Sequence, residues 1–204
     1  MTTSPETRSN KILVSGFDRF GHLKRPNASS EVALPAVAEK YGELVETIVL
    51  PVAYEVAATQ LDEAIKELNP VAVVMFGISA GRKVRLERKA HNAQFNVAIP
   101  DNSGVRKIGR IVRGGPKVFD ATLPLEDLYA RLSDAEIPTK FSDNAGSFVC
   151  NELMYRTLAA TSERPRGTIP TGFIHFGNGL SEQLVEEASL QVVDELLKLR
   201  KLEE

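Results

Sequence analysis

Cysteine is nearly absent from this chain, since Cys150 is the only one among 204 residues. A single cysteine excludes an internal disulfide and leaves a free thiol, which is typical of a reducing compartment. We therefore expect a cytoplasmic protein. Tryptophan is missing altogether, so phenylalanine and tyrosine must supply any aromatic contact with a ligand.

The chain also lacks an excess of charge of either sign and any long apolar run. Its 25 Lys and Arg residues nearly balance 27 Asp and Glu residues, for a formal charge of −2. This balance argues against nucleic-acid binding, which favours a basic surface. No apolar run reaches the length that crosses a membrane. We expect a polar, flexible tail at residues 1–10, without the apolar core of a signal peptide, and a single domain at residues 11–204.

Segments typical of strands and helices alternate along the chain. This alternation predicts a three-layer α/β sandwich, with a mainly parallel twisted sheet and helices on both faces.

Asn27 or Ser29 could cap the first helix and Ser181 the last. The polar residues 93–115 predict a hairpin excursion or a lid, and residues 162–167 a loop. Strands are expected at 11–17, 44–52, 71–78, 83–92, 136–141 and 168–176, and helices at 27–40, 56–68, 125–132, 150–161 and 181–201.

Cys150 falls where a predicted helix begins, after a small polar loop that contains Gly146. The unpaired backbone N–H groups and the positive end of the helix dipole favour thiolate over thiol at this position. A nucleophilic cysteine is one interpretation. The other is a core residue, because a lone cysteine on an apolar helix usually packs as a small hydrophobe.

A nucleophilic thiol requires a base, and His175 is a candidate because it ends the strand that follows the Cys150 helix. A helix and its following strand lie side by side in an α/β fold. Glu87 or an asparagine could orient the imidazole. Glu87 could equally be a solvated acid in a basic segment, and His22 and His91 are competing bases.

Three loops at predicted strand ends carry further candidates, since ligands bind at the carboxyl edge of an open α/β sheet. These loops are residues 17–20, residues 79–82 and the segment after His175. Phe17 and Phe20 in the first loop could contact a ligand or simply pack in the core.

Four segments, at residues 12–21, 81–102, 144–155 and 172–176, together resemble the pyroglutamyl peptidase I family, cysteine peptidases also called pyrrolidone-carboxylate peptidases. The first reads ILVSGFDRFG, the third NAGSFVCNELMY and the last GFIHF. The second contains ERKAHN and ends in IPDN. Their order and spacing fit the family from about residue 11 onward, and the third segment is the most specific.

The resemblance implies a role for each candidate residue. Cys150 would be the nucleophile, His175 the general base and acid, and Glu87 the orienting carboxylate. The activity would be removal of an N-terminal pyroglutamyl residue from peptides, without a metal or cofactor, by a homo-oligomer that is often a tetramer. Phe17 and Phe20 would flank the lactam ring, the backbone around Phe148 and Val149 would bind the lactam amide, and the pocket would extend to Asn27 and Ile78.

The chain departs from the family at Ile78, where relatives usually carry glutamine, and at Ala98, where they usually carry an arginine thought to polarise the carbonyl. Arg82, Arg85 or Arg88 could replace that arginine. The departures leave two alternatives open: a cysteine amidohydrolase for another small cyclic or acyl amide, and a non-catalytic binding protein with this fold.

Overall fold

The computed structural model of this chain describes residues 9–21, 26–162 and 168–202. The expected tail and the loop after residue 162 lie almost entirely outside these ranges. The described strands are β1 (Ile12–Phe17), β2 (Val45–Leu50), β3 (Ala72–Ser79), β4 (Val84–Glu87), β5 (Lys89–His91), β6 (Gln94–Asn96), β7 (Lys107–Gly109), β8 (Val118–Asp120), β9 (Thr139–Ser142) and β10 (Thr171–Gly177). The described α-helices are α1 (Leu34–Tyr41), α2 (Val56–Leu68), α3 (Leu125–Asp134), α4 (Val149–Ser162) and α5 (Glu182–Leu196).

Six strands form the central sheet in the order β2-β1-β3-β10-β4-β9. The strands from β2 to β10 in this order are mutually parallel, whereas β4 runs antiparallel to β10 and parallel to β9. Helices α2 and α4 cover one face and contribute to one buried cluster. Helices α1, α3 and α5 cover the other face and contribute to a second cluster. The predicted three-layer α/β sandwich is therefore confirmed.

The expected strand at residues 83–92 is wrong as one element, because it divides at Arg88. The backbone N–H of Arg88 donates to the carbonyl of Ser142, and its own carbonyl accepts from Ala121. The chain thus leaves the central sheet after Glu87, and β5 pairs with β8 instead. Two small hairpin ladders result, β5 with β8 and β6 with β7, so the hairpin expected within residues 93–115 is present.

The ends of two helices also differ from the prediction. The first helix begins with a wide turn at Ser29–Ala33, and the preceding Ala28 makes no side-chain cap. Of the two predicted caps, Asn27 is confirmed, because its Oδ1 accepts from the N–H of Ser29 at 3.2 Å. Pro35 follows this turn and has no backbone N–H to continue regular hydrogen bonding. The last α-helix ends at Leu196 and continues as a tighter turn at Leu197–Leu202. Its Ser181 cap is confirmed, because the Ser181 hydroxyl accepts from the N–H of Leu184.

None of the helices described here is sufficiently long and apolar to cross a membrane.

Candidate active site

A buried carboxylate–imidazole pair lies between β4 and β10. Glu87 Oε1 is 2.8 Å from His175 Nδ1. Glu87 is fully buried and His175 is 4% exposed. The antiparallel register places Glu87 opposite Phe173 and Arg85 opposite His175, so Glu87 and His175 project diagonally from the same face. Glu87 is therefore an imidazole partner, and the interpretation as a solvated acid is wrong.

Cys150 is the second residue of α4, which packs against β10. Burial disfavours the charged form of His175, but the influence of the nearby Cys150 and Glu87 side chains outweighs burial. They raise the pKa of His175 from 6.5 to about 9. The packing of α4 on β10 agrees with the chain order, and the contact of the Cys150 thiol with the imidazole stays a prediction.

Two neighbours of His175 make room for its ring and support it. The ring of Phe173 lies 4.6 Å from the imidazole, centroid to centroid. Gly77 on β3 is directly opposite His175, and a Cβ at Gly77 would lie 2.8 Å from the Phe173 ring and 3.3 Å from the imidazole. A larger residue at position 77 would displace the imidazole, so this glycine is part of the site. Sequence reasoning missed this role because it depends on strand register.

Three phenylalanines pack against the same buried cluster as Cys150. The rings of Phe20 and Phe148 meet edge to face, with centroids 5.4 Å apart. Phe17 is buried and packs against Phe173, 6.4 Å away. These residues and Cys150 all belong to or pack against the cluster on the α2–α4 face. The two predicted aromatic contacts, Phe17 and Phe20, and the neighbouring Phe148 thus lie on the same face of the sheet as Cys150, and their contact with substrate stays a prediction.

Asn27 shapes the first loop through hydrogen bonds to its neighbours. Its side-chain amide donates to the carbonyl of Asp18 at 3.0 Å, and its Oδ1 accepts from the hydroxyl of Ser29 at 2.7 Å. The Ser29 hydroxyl in turn accepts from the N–H of Phe17. Asn27 is 8% exposed, and these contacts give it a role in holding the loop that carries Phe17.

Two further predicted pocket residues, Val149 and Ile78, pack in different buried clusters. Val149 is buried in the cluster on the α2–α4 face. Ile78 packs against the opposite cluster, because it alternates with Gly77 and pairs with Phe176 on β10. The structure does not bring Ile78 to Cys150, and its contact with substrate stays a prediction. Ala98 lies on an exposed bend after β6.

The alternatives to His175 as base and to the missing arginine as cation make other contacts, where the structure describes them. His91 Nε2 is 2.7 Å from the carbonyl oxygen of Asp143. Arg88 forms a two-pronged pair with the Asp143 carboxylate, and Arg85 donates to the carbonyl of Ala80. His22 lies outside the described residues. Within the described ranges, no three His, Cys, Asp or Glu side chains are grouped to hold a metal ion.

The raised pKa of His175 predicts a stability change with pH. Because the folded-state pKa of about 9 exceeds the ordinary 6.5, this residue stabilises the fold fully below about pH 6.5. That contribution is lost as the pH rises through 9. We expect the free energy of unfolding, measured by urea denaturation, to fall more steeply over this range in the natural protein than in His175→Gln. Equal slopes for the two proteins would contradict the assignment.

A buried imidazole paired with a carboxylate, on a strand packed by the helix that carries the single cysteine of the sequence, is compatible with a cysteine hydrolase. Comparison with known proteins agrees. A family model described as pyroglutamyl peptidase matches residues 10–196. The chain belongs to this family of cysteine peptidases.

Individual relatives support the assignment. The pyrrolidone-carboxylate peptidase of Deinococcus radiodurans is 35% identical over 167 residues, covering 80% of this chain and 76% of the relative. That of Pyrococcus furiosus is 34% identical over 183 residues, covering 87% and 85%. The crystal structure of pyroglutamyl peptidase I from Bacillus amyloliquefaciens superposes with a TM-score of 0.82 at 27% identity, covering 92% of this chain and 97% of the other.

Proposed function

We propose that this protein is an exopeptidase that hydrolyses the N-terminal pyroglutamyl residue from peptides through Cys150, His175 and Glu87. The observation that carries the proposal is the buried Glu87–His175 pair at 2.8 Å, on a strand against which the helix that carries Cys150 packs. The pyroglutamyl peptidase family match over residues 10–196 supports the substrate class.

The reaction proceeds in two acyl-transfer steps. The Cys150 thiolate attacks the carbonyl carbon of the pyroglutamyl residue, and the oxyanion accepts a hydrogen bond from the Cys150 backbone N–H at the start of α4. The His175 imidazolium gives its proton to the departing amine, and a thioester remains on Cys150. Water then attacks the thioester with the neutral imidazole as base, which releases pyroglutamate and restores the thiolate.

Glu87 keeps the imidazole in place throughout this cycle. Its carboxylate accepts the Nδ1–H bond, which directs the other ring nitrogen toward the thiol and stabilises the positive imidazolium. Burial strengthens this interaction, because water does not compete for either group. The raised pKa of His175 keeps the imidazolium available as the acid at neutral pH.

The aromatic group formed by Phe17, Phe20 and Phe148 would hold the lactam ring. A pyroglutamyl group carries no charged amine, so an apolar slot with a few hydrogen-bond partners suits it. We assign the lactam amide contacts to the backbone around Phe148 and Val149. Asn27 supports the slot by holding the loop that carries Phe17.

The proposal extends to the cellular setting. We propose that residues 11–204 form one peptidase domain, which acts in the cytoplasm as a homo-oligomer without a cofactor.

The test is the hydrolysis of three aminomethylcoumarin amides that differ in their acyl group. We expect rapid release of the fluorophore from the pyroglutamyl amide and much slower release from the prolyl amide, whose charged ring nitrogen does not suit an apolar slot. The cyclopentanecarbonyl amide, whose ring is carbocyclic, should also be cleaved more slowly than the pyroglutamyl amide. Faster cleavage of either comparison substrate would favour the alternative amidohydrolase, and no cleavage of any would contradict an acyl-transfer enzyme.

A further inference from the structure

Tyr54 lies in a turn near the candidate nucleophile, and two carboxylates hold the backbone of this turn. The turn joins the carboxyl end of β2 to α2. The N–H of Tyr54 donates to the Asp101 carboxylate at 2.8 Å, and the next N–H, of Glu55, donates to the Glu152 carboxylate at 2.9 Å. Glu55 has a φ of 63°, which a side chain other than glycine rarely adopts and which only surrounding contacts can maintain. The orientation of Tyr54 is thus imposed by its surroundings.

The hydroxyl of Tyr54 is buried and has no hydrogen-bond partner among the described residues. The residue as a whole is only 4% exposed. Two other buried tyrosines behave in the ordinary way: the Tyr155 hydroxyl donates to the carbonyl of Pro116, and the Tyr41 hydroxyl donates to that of Leu190. A buried polar atom without a partner is uncommon and indicates that the partner comes from elsewhere.

The surroundings of Tyr54 connect it to the proposed lactam slot. Its ring meets that of Phe148 edge to face, with centroids 5.4 Å apart and planes at 86°. The ring of Phe148 also meets the ring of Phe20 edge to face. Burial, and then the negative charges of Glu152, Asp101 and Cys150, raise the pKa of Tyr54 to about 12. The phenol is therefore protonated at neutral pH and acts as a hydrogen-bond donor.

We propose that the Tyr54 hydroxyl donates a hydrogen bond to the lactam carbonyl oxygen of the pyroglutamyl ring, which makes Tyr54 a specificity-determining residue. The inference rests on the proposed function, because it assigns the ring to the slot that Phe148 lines. A lactam oxygen is a strong neutral acceptor, so the hydroxyl, which is buried and unpaired within the described part of the free protein, gains a hydrogen bond only from an acyl group that carries such an oxygen.

Tyr54→Phe tests the inference, because it removes one oxygen atom and keeps the aromatic contact with Phe148. We expect kcat/KM for the pyroglutamyl amide to fall roughly tenfold, as for the loss of one buried hydrogen bond. The cyclopentanecarbonyl amide has a ring of the same size without the lactam oxygen, and its kcat/KM should stay unchanged. Selectivity between the two substrates should therefore fall by the same factor.

Thermal unfolding supplies a second measurement with a matched control. Tyr54→Phe should melt at the same temperature as the natural protein or higher, since it removes an unpaired buried hydroxyl. Tyr155→Phe breaks an existing hydrogen bond, so it should melt lower while its substrate selectivity stays unchanged.

Two results for Tyr54→Phe would overturn this inference and leave the proposed function intact. The first is an equal loss of activity on both substrates. The second is full selectivity in the variant, provided that the natural protein is active. An equal loss would indicate an effect on the reacting carbonyl or on folding. A natural protein that does not cleave the pyroglutamyl amide would instead overturn the proposed function and this inference together.

Discussion

Replacing Cys150 by alanine should lower kcat for the pyroglutamyl amide by roughly four to six powers of ten, as for loss of the nucleophile in a hydrolase triad. The side chain is small and half-buried, so the fold should survive the change. The dissociation constant of pyrrolidone, a free lactam, measured by calorimetry, should stay within about threefold of the natural value, since ground-state binding of the ring does not depend on the thiol.

The matched variant is Cys150→Ser, which keeps the shape and replaces the thiol by a far weaker acid. It should also lose nearly all activity, because the imidazole cannot maintain an alkoxide as it does a thiolate. Retention of more than a tenth of the activity in Cys150→Ala would show that another group attacks the substrate.

Replacing Glu87 by glutamine should have the second largest effect, a fall in kcat of roughly three to four powers of ten. The amide is similar in size but carries no charge, so it no longer stabilises the imidazolium. The pKa of His175 should fall, and the loss of activity on the alkaline side should begin at lower pH than in the natural protein. A pH–rate profile of kcat/KM measures both effects.

The pH at which activity falls on the alkaline side of the profile distinguishes an orienting role of Glu87 from a merely structural one. We call this part of the profile the alkaline limb. A merely structural change would lower activity without moving the limb, and this result would contradict the assignment of Glu87. Glu87→Ala is the harsher comparison, since it leaves His175 buried without its partner and should destabilise the fold by about 3–5 kcal/mol.

The order of the elements and the placement of Cys150 at a helix start were predictable from the sequence, because both follow from local signals. The apolar run at residues 71–78 predicts a strand buried on both faces, and β3 occupies the middle of the sheet. The small polar loop before Cys150 predicts a helix start, and α4 begins at Val149. The packing of α4 on β10, the strand that follows it, agrees with the same chain order.

Features that depend on strand register were not predictable in this way. The antiparallel course of β4 brings Glu87 to His175, and the burial of Glu87 comes from pairing with β10 and β9 rather than from its charged neighbours in sequence. The alternation along β3 likewise turns Ile78 away from the site and leaves Gly77 beneath the imidazole. A shift of one residue in register would exchange these two environments.

Tyr54 and Glu152 show a second limit, since their importance arises from contacts between distant segments. Glu152 is 1% exposed, and its carboxylate receives both the N–H of Glu55 and the guanidinium of Arg156. No local pattern distinguishes this acid from an ordinary first-turn glutamate of a helix. Only the turn before α2, brought against α4 in the fold, gives it a structural role.

The most direct test of the central claim is to trap the acyl-enzyme. The natural protein is mixed with the pyroglutamyl amide, quenched in acid within the first turnovers and digested for peptide mass spectrometry. If Cys150 is the nucleophile, one pyroglutamyl group is attached through a thioester to the peptide that contains Cys150, and none is attached in Cys150→Ala. Rapid turnover with no modification of Cys150 at any quench time, or modification of another residue, would contradict this role of Cys150.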